Sequence, residues 1–405
     1  MTLSDFRLGI VQDGPVAFDG TNYWNHRPMG QYLKSLSQVF GKIDIYAPVI
    51  FKNNPAFHCW NEFKLDQRWA CVHTLSVGGG NPVKAIMRQM ITFPFLYQGF
   101  KKNDFVLFFL PATFAFPGIF ARRLQKLPYA IYFGNDWDEI YPYSFRWSGV
   151  IASSLYPIYK KMGQVLHTLA LGRASFALTA GESLRRKVSS KGVPAFLSVP
   201  RMDLKKGDIY YRKNTCLSKE VILLFVGSLT PRKGLDCLID GFTYLYRNNF
   251  SVRLHIVGDG ELKTYLEKEI MARELSHKIE LLGYVPYGPR LWKIYRDSDI
   301  FILPTRAEGF PRVLYEAMSQ SLPIVTTDVS GIPYLMKHGE NSLLIPTNDV
   351  NALVNAVCKL IKDSELRKRL INRGLKTVSS VLNKDAGKQL KNLIESNKKR
   401  TAPQN

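Results

Sequence analysis

Apolar runs that stop on a glycine constrain this chain more than any other feature. V-I-L-L-F-V-G (221–227) carries no polar residue before its glycine, so it reads as a strand buried on both faces. A helical stretch, LDCLIDGFTYLYRN (235–248), follows it. RLHIVGDG (253–260) repeats the strand-then-glycine theme before the amphipathic ELKTYLEKEIMARE (261–274). IELLG (279–283), a helix around 288–297, DIFILPT (299–305), VLYEAMSQ (313–320), LPIVTTD (322–328), SLLIP (342–346) and DVNALVNAVCKLIKD (349–363) continue the alternation. Strand and helix taking turns across short Gly/Pro turns build a parallel sheet wrapped by helices.

The first half is less regular but similar in kind. FRLGIVQDG (6–14), GKIDIYAPV (41–49), NDFVLFFLP (103–111), PYAIYFGND (128–136), ASFALTAG (174–181) and AFLSVP (195–200) read as strands, with helices near 27–40, 114–127 and 150–171. The expected fold class is therefore α/β, with two Rossmann-like doubly wound parallel-sheet domains facing across a cleft. The expected division is 1–200, a polar linker at 201–219, a second domain at 220–395 and a disordered basic tail at 396–405. Such sheets bind ligands beyond the carboxyl ends of their strands, where helix N-termini present free N–H groups. Two of them predict a two-substrate enzyme.

Charge narrows the partners. Lys and Arg total 55 against 33 Asp and Glu, a net +22 that excludes an acidic disordered chain. Residues 1–200 hold 22 basic and 11 acidic residues, so each half contributes +11 and no single basic stripe exists. Basic residues alternate with aromatics in KAIMRQMITFPFLYQGFKK (84–102) and YPIYKKMGQVLHTLALGR (156–173). That texture suits an anionic membrane surface, although solvated bases over core aromatics would read the same way. Nucleic acid is not expected, because no RNP-like, zinc-finger or helix-turn-helix signature is present. The start, MTLSDFRLGIVQDG, lacks signal-peptide character, and Val150–Tyr159 is too short and interrupted to span a bilayer. Five Cys without a CxxC pair predict free thiols and a reducing compartment. The expected location is cytoplasmic, peripheral on the cytosolic face of the inner membrane.

Three turns carry chemistry. In G-S-L-T-P-R-K-G (227–234), Arg232 and Lys233 sit between a buried strand ending at Gly227 and a helix start. Two adjacent cations there can hold a diphosphate. The spacing is not that of a Walker loop. In E-G-F-P-R-V-L-Y-E (308–316), Pro311 suits a helix start, and the Gly309 and Phe310 amides lie ahead of a positive helix end. Glu308 can accept hydrogen bonds from sugar hydroxyls, and Glu316 can accept from both hydroxyls of a ribose. In G-Y-V-P (283–286), Val285 can frame a flat base, or the segment can be an ordinary turn.

FVGSLTPRKGLDCLIDGF, LHIVGDGEL, IELLGYVP, DIFILPTRAEGFPRVLYEAMSQSLPIVTTDVSGIPYL and NSLLIPTND, in that order, resemble the nucleotide-sugar domain of family 4 retaining glycosyltransferases of the GT-B fold. The resemblance covers about 223–346. It implies that Lys233 binds the donor diphosphate and that Glu308 contacts the transferred sugar. It places the amides from Gly309 through Phe310 and Pro311 to Arg312 beside sugar and pyrophosphate, Glu316 on the ribose and Val285 at the base. Ser228 stands where the family often has Arg, and Arg232 is the available substitute.

By the same resemblance the first half is the acceptor domain. A Gly-rich turn after its first strand, at Gly14 or Gly20, would approach the donor phosphates. Many members carry a His after the strand PYAIYFGND; none stands here, and Asp136 and Asp138 are the nearest polar residues. Asp136 is a candidate active-site residue, with a helix cap or turn as its other reading.

His58–Cys59 and Cys71–His73 have unusual spacing for zinc, and neither HExxH nor DxD occurs. No metal and no bound cofactor is expected. Leaving-group charge would instead be met by Lys, Arg and helix ends. The expected activity is transfer, with retention, from a nucleotide-diphosphate sugar to a hydroxyl on a lipid-linked saccharide or glycan acceptor of bacterial polysaccharide or lipopolysaccharide synthesis. The alternatives are a non-catalytic sugar-nucleotide or membrane-binding scaffold and a GT-B nucleotide-sugar epimerase.

Overall fold

The structure is a computed structural model, and it describes residues 6–12, 14–75, 82–110, 115–134, 150–309 and 311–401. The chain divides into two compact units, Met1–Asp203 with Lys384–Asn405, and Leu204–Asn383.

The first unit carries β1 (Arg7–Val11), β2 (Val16–Phe18), β3 (Tyr23–Asn25), β4 (Lys42–Phe51), β5 (Phe63–Lys64), β6 (Ala70–Leu75), β7 (Phe105–Leu110), β8 (Tyr129–Phe133), β9 (Phe176–Thr179) and β10 (Ala195–Leu197). Its helices are α1 (Arg27–Phe40), α2 (Phe57–Trp60), α3 (Pro82–Phe100), α4 (Ala115–Leu124), α5 (Val150–Leu171) and α6 (Glu182–Ser189). The sheet runs β10-β9-β8-β7-β1-β4-β2-β3-β5, with β6 also beside β4. It is parallel except where β3 pairs antiparallel with β2 and β5. All six residues of β7 are buried, because helices cover both faces of a parallel sheet.

One polar cluster lies inside this unit. Asp44, on β4, is buried and accepts hydrogen bonds from Arg7 at both its oxygens and from Asn103 at 2.7 Å, with His73 Nε2 also 2.7 Å away. Burial works against its charge, but His73, Arg7 and Asn103 hold the carboxyl well below the usual range. Cys71 and His73 therefore gather around Asp44 and not with His58 and Cys59, which lie on α2.

The second unit carries β11 (Val221–Val226), α7 (Leu235–Arg247), β12 (Val252–Val257), α8 (Lys263–Ala272), β13 (Ile279–Gly283), α9 (Pro289–Asp297), β14 (Ile300–Leu303), α10 (Arg312–Ser319), β15 (Ile324–Thr327), α11 (Ile332–Leu335), β16 (Leu343–Ile345), α12 (Val350–Lys362) and α13 (Ser364–Leu382). Its strand order, β13-β12-β11-β14-β15-β16, is parallel throughout and reverses direction between β11 and β14. That is the doubly wound order, with a switch point at which ligands bind.

The expected domain limits need two corrections. The segment 204–219 packs on the second unit instead of linking two bodies. Arg212 donates to the carbonyls of Arg296, Ser298 and Ser321, and the Cys216 N–H donates to Asp299 at 2.7 Å. Its polar residues meet backbone acceptors there, so low periodicity did not mean a free linker. The chain end, expected within 220–395 and then as a tail, forms the helix α14 (Ala386–Thr401) and belongs to the first unit. Ala386, Leu390 and Ile394 are buried in the same core as Met29, Leu33 and Leu36 of α1. An amphipathic pattern fixes which face of a helix is apolar, but not which core it covers.

Candidate active site

Two turns at the switch point meet. The first follows β11 and tightens into a short 3-10 turn, Pro231–Lys233, ending at Gly234. Gly234 has φ +67°, and a Cβ there would lie 2.0 Å from the Pro304 carbonyl oxygen. Only glycine lets this turn press against the chain leaving β14. The Arg232 carbonyl accepts from the Arg306 N–H at 2.7 Å and from Thr305 Oγ1 at 3.0 Å, which locks the two turns together.

This brings Arg232, Lys233 and Glu308 together. Arg232 donates to Glu308 Oε2 at 2.8 Å, and Lys233 Nζ donates to the same oxygen. Lys233 is 5% exposed and Glu308 9%, so the pair is screened little by water. Burial alone would push the Glu308 carboxyl up, yet Lys233 and Arg232 hold it below the ordinary value. Gly227 adjoins the cluster: a Cβ on it would lie 3.8 Å from Lys233 Cε. Thr230 Oγ1 is buried with no hydrogen-bond partner among the described residues. An orphaned buried hydroxyl costs about 1–3 kcal/mol, as expected beside a site that a ligand completes.

Glu316 stands further along. It lies on α10, whose N-cap is Pro311, and Tyr295 of α9 donates to its Oε2 at 2.9 Å. Burial pushes the Glu316 carboxyl up, against the Tyr295 hydrogen bond and the Arg312 charge. Arg312 acts electrostatically on both Glu316 and Lys233. Val285 is buried in the loop after β13. Tyr287, two residues on, packs edge-on against Trp292 at 4.8 Å, and Trp292 lies 6.0 Å from Tyr295. Rings thus connect the Val285 loop to Glu316. Gly309 is buried beside Glu308, and Phe310 lies outside the described residues.

Gly14 follows β1 and lies against Trp60, which a Cβ on it would approach to 2.3 Å; Gln12 Nε2 donates to its carbonyl at 2.6 Å. Asp136 and Asp138 lie outside the described residues.

Two residues escaped the sequence reading. Arg306 donates to Asp236 at 2.5 Å, Asn348 at 2.6 Å and the Pro231 carbonyl at 2.7 Å, which pins the Pro231–Lys233 turn from outside. Tyr295 orients Glu316. Arg306 stands inside the P-T-R-A-E-G-F-P segment, but its partners are 42 to 75 positions away in sequence, and local spacing does not reveal them.

Residues 209–377 match the family profile described as "Glycosyl transferases group 1". The second unit belongs to glycosyl transferases group 1. The chain is 35% identical over 151 residues to an uncharacterised glycosyltransferase of Methanocaldococcus jannaschii, a match covering 37% of this chain and 41% of that protein. It is 30% identical over 167 residues to the UDP-Gal:alpha-D-GlcNAc-diphosphoundecaprenol alpha-1,3-galactosyltransferase of Escherichia coli, covering 40% of this chain and 42% of that one. The chain thus spans about two-fifths of these curated relatives. Among solved structures, Anabaena HepE in complex with UDP superposes with a TM-score of 0.66 at 16% identity, covering 96% of this chain and all of the other. The fold is that of GT-B glycosyltransferases, with Rossmann-like parallel sheets in two domains.

Proposed function

We propose that this protein is a retaining glycosyltransferase of family 4 that moves a sugar from a nucleotide-diphosphate sugar to an acceptor hydroxyl. One observation carries the reading: Arg232, Lys233 and Glu308 converge at the switch point of the second sheet, with Glu316 on the adjoining helix. Arg232 and Lys233 take the donor diphosphate, Glu308 the sugar, Glu316 the ribose and Val285 the base. The amides from Gly309 to Arg312 face sugar and pyrophosphate. In the first unit, Gly14 approaches the phosphates and Asp136 serves the reacting sugar.

The chemistry is driven by the leaving group. The bond between the anomeric carbon and the β-phosphate oxygen breaks as charge builds on that oxygen, where Arg232 and Lys233 stabilise it. The acceptor oxygen bonds to the anomeric carbon from the same face. Its proton passes to the departing phosphate oxygen. Two fixed cations supply the charge compensation, so the step is metal-independent. In the free unit Glu308 pairs with both cations. The donor diphosphate competes for them and frees the carboxylate to meet sugar hydroxyls.

The acceptor is a lipid-linked saccharide in bacterial polysaccharide or lipopolysaccharide synthesis, reached on the cytosolic face of the inner membrane. The diphosphoundecaprenol acceptor in the name of the Escherichia coli relative and the basic–aromatic texture of residues 84–102 and 156–173 support this. Among the described residues no helix is long and apolar enough to cross a membrane. Incubation with a panel of labelled UDP-, GDP- and ADP-sugars and a lipid-linked acceptor tests the reading. Label is expected in the acceptor with donor-like anomeric configuration. Label remaining in every donor, or an epimerised donor without acceptor, would refute it.

A further inference from the structure

An apolar groove opens between α3, α4 and α5 of the first unit. Its volume is about 700 Å³, and Phe93, Phe116, Phe120, Leu124, Leu166 and Leu169 line it. Phe120, Leu124 and Leu169 are each more than half exposed, and Val165 beside them is 51% exposed. Contiguous apolar surface of this kind in a soluble domain marks an interaction site. Arg122 next door is spoken for: it is fully buried and donates to the carbonyls of Phe100, Asn103, Asp104 and Pro128.

The rim has one sign of charge. Arg123 and Arg173 line the groove, and Arg123 donates to the Leu169 carbonyl at 2.7 Å, which sets its guanidinium over the end of α5. Lys191 Nζ donates to Thr168 on the neighbouring turn at 2.9 Å. The sequences of α3, α4 and α5 contain no Asp or Glu. From residue 67 to 181 the chain has twelve Lys and Arg against four acids. Hydrocarbon floor and cationic edge together are complementary to an amphiphile with an anionic head.

We propose that this groove docks the first unit on an anionic membrane by accepting an acyl chain of an anionic phospholipid, with Arg123 and Arg173 at the phosphate. It rests on the reading above that the enzyme works at a membrane surface, and names where and how. Buried chain gives affinity by area, and each nearby cation adds attraction to the anionic leaflet.

The test uses the full chain with vesicles of phosphatidylcholine alone or mixed with phosphatidylglycerol carrying a photoactivatable diazirine in its acyl chain. Co-sedimentation is expected only with the anionic vesicles, and cross-links are expected in peptides spanning 115–124 and 163–173. Leu124→Ser with Leu169→Ser should lower partitioning by about fivefold or more at unchanged thermal melting. Arg173→Glu, at an exposed position, should lower it without touching the apolar floor. Anionic-dependent binding with cross-links elsewhere, or with the variants binding as wild type, overturns the groove and leaves the membrane reading standing. No binding to either vesicle overturns both, while transfer to a water-soluble acceptor fragment still tests the enzyme itself. A concentration-dependent dimer lost in the variants would assign the groove to a second copy and equally overturn the proposal.

Discussion

Lys233 and Glu308 form a pair whose removal can be worked through in both stability and rate. Lys233→Met deletes a buried ammonium and leaves the Glu308 carboxylate with Arg232 alone on the shared oxygen, 2.8 Å away. Breaking a buried pair costs about 3–5 kcal/mol when the remaining charge has no other partner, and here Arg232 keeps part of the compensation. A loss of about 2–3 kcal/mol is therefore expected. Glu308→Gln leaves two adjacent cations, but burial already favours loss of the Lys233 proton, so about 1–2 kcal/mol is expected. The double variant holds no stranded carboxylate and should be more stable than the sum predicts, with a coupling of about 1–2 kcal/mol. Urea unfolding followed by tryptophan emission measures this, Trp292 being the sole tryptophan of the second unit. Transfer should fall by about 10²–10³ in Lys233→Met, the usual effect of losing one preorganised donor to the leaving charge. Additivity within about 0.5 kcal/mol together with near wild-type transfer would refute the paired-charge site.

Three more outcomes follow from the same geometry. Glu316→Gln should stabilise the fold at neutral and alkaline pH, because burial raises the folded carboxyl above its unfolded value and ionisation then costs stability as pH rises through the folded pKa. The gain in melting temperature should vanish as pH falls below the ordinary carboxylate range, while KM for the donor rises at least tenfold at pH 7. Gly234→Ala should lose well over 2 kcal/mol or fail to fold, since φ is +67° and its Cβ would meet the Pro304 carbonyl oxygen at 2.0 Å; urea midpoints beside Gly192→Ala, a left-handed glycine with nothing within 4 Å, separate clash from backbone strain. Truncation after Asn383 should uncover the core face of α1 that Leu390 and Ile394 fill, and raise dye binding and aggregation without removing any donor-site residue.

The second unit was legible because strands such as VILLFV and IFIL are almost wholly buried and end at glycine or proline turns, which leaves little freedom in reading them. The identity of the charged residues was legible too, but not their pairing. The motifs and the resemblance they carry assign Lys233 to a phosphate and Glu308 to a sugar. The direct contact of these two residues, 75 positions apart in the chain, follows from β11 and β14 being neighbours in the sheet. The first unit was harder. β2, β3 and β5 are only two or three residues long, too short for a period to show, and β6 is half-exposed and alternates poorly. In α3 the basic–aromatic texture masks the helical period, and the expected limit at 395 divides α14, whose buried face covers the first unit's core. The Asp44 cluster was invisible because Arg7, His73 and Asn103 come from separate elements.

A crystal structure of the full chain soaked with whichever nucleotide-diphosphate sugar most raises its melting temperature bears on all of this most directly. Phosphoryl density against Arg232 and Lys233, a ribose on the Glu316 carboxylate and Glu308 turned from the cations to the sugar are the predicted result. A donor lodged in another part of the molecule, or none bound while Glu308 keeps both cations, would contradict it.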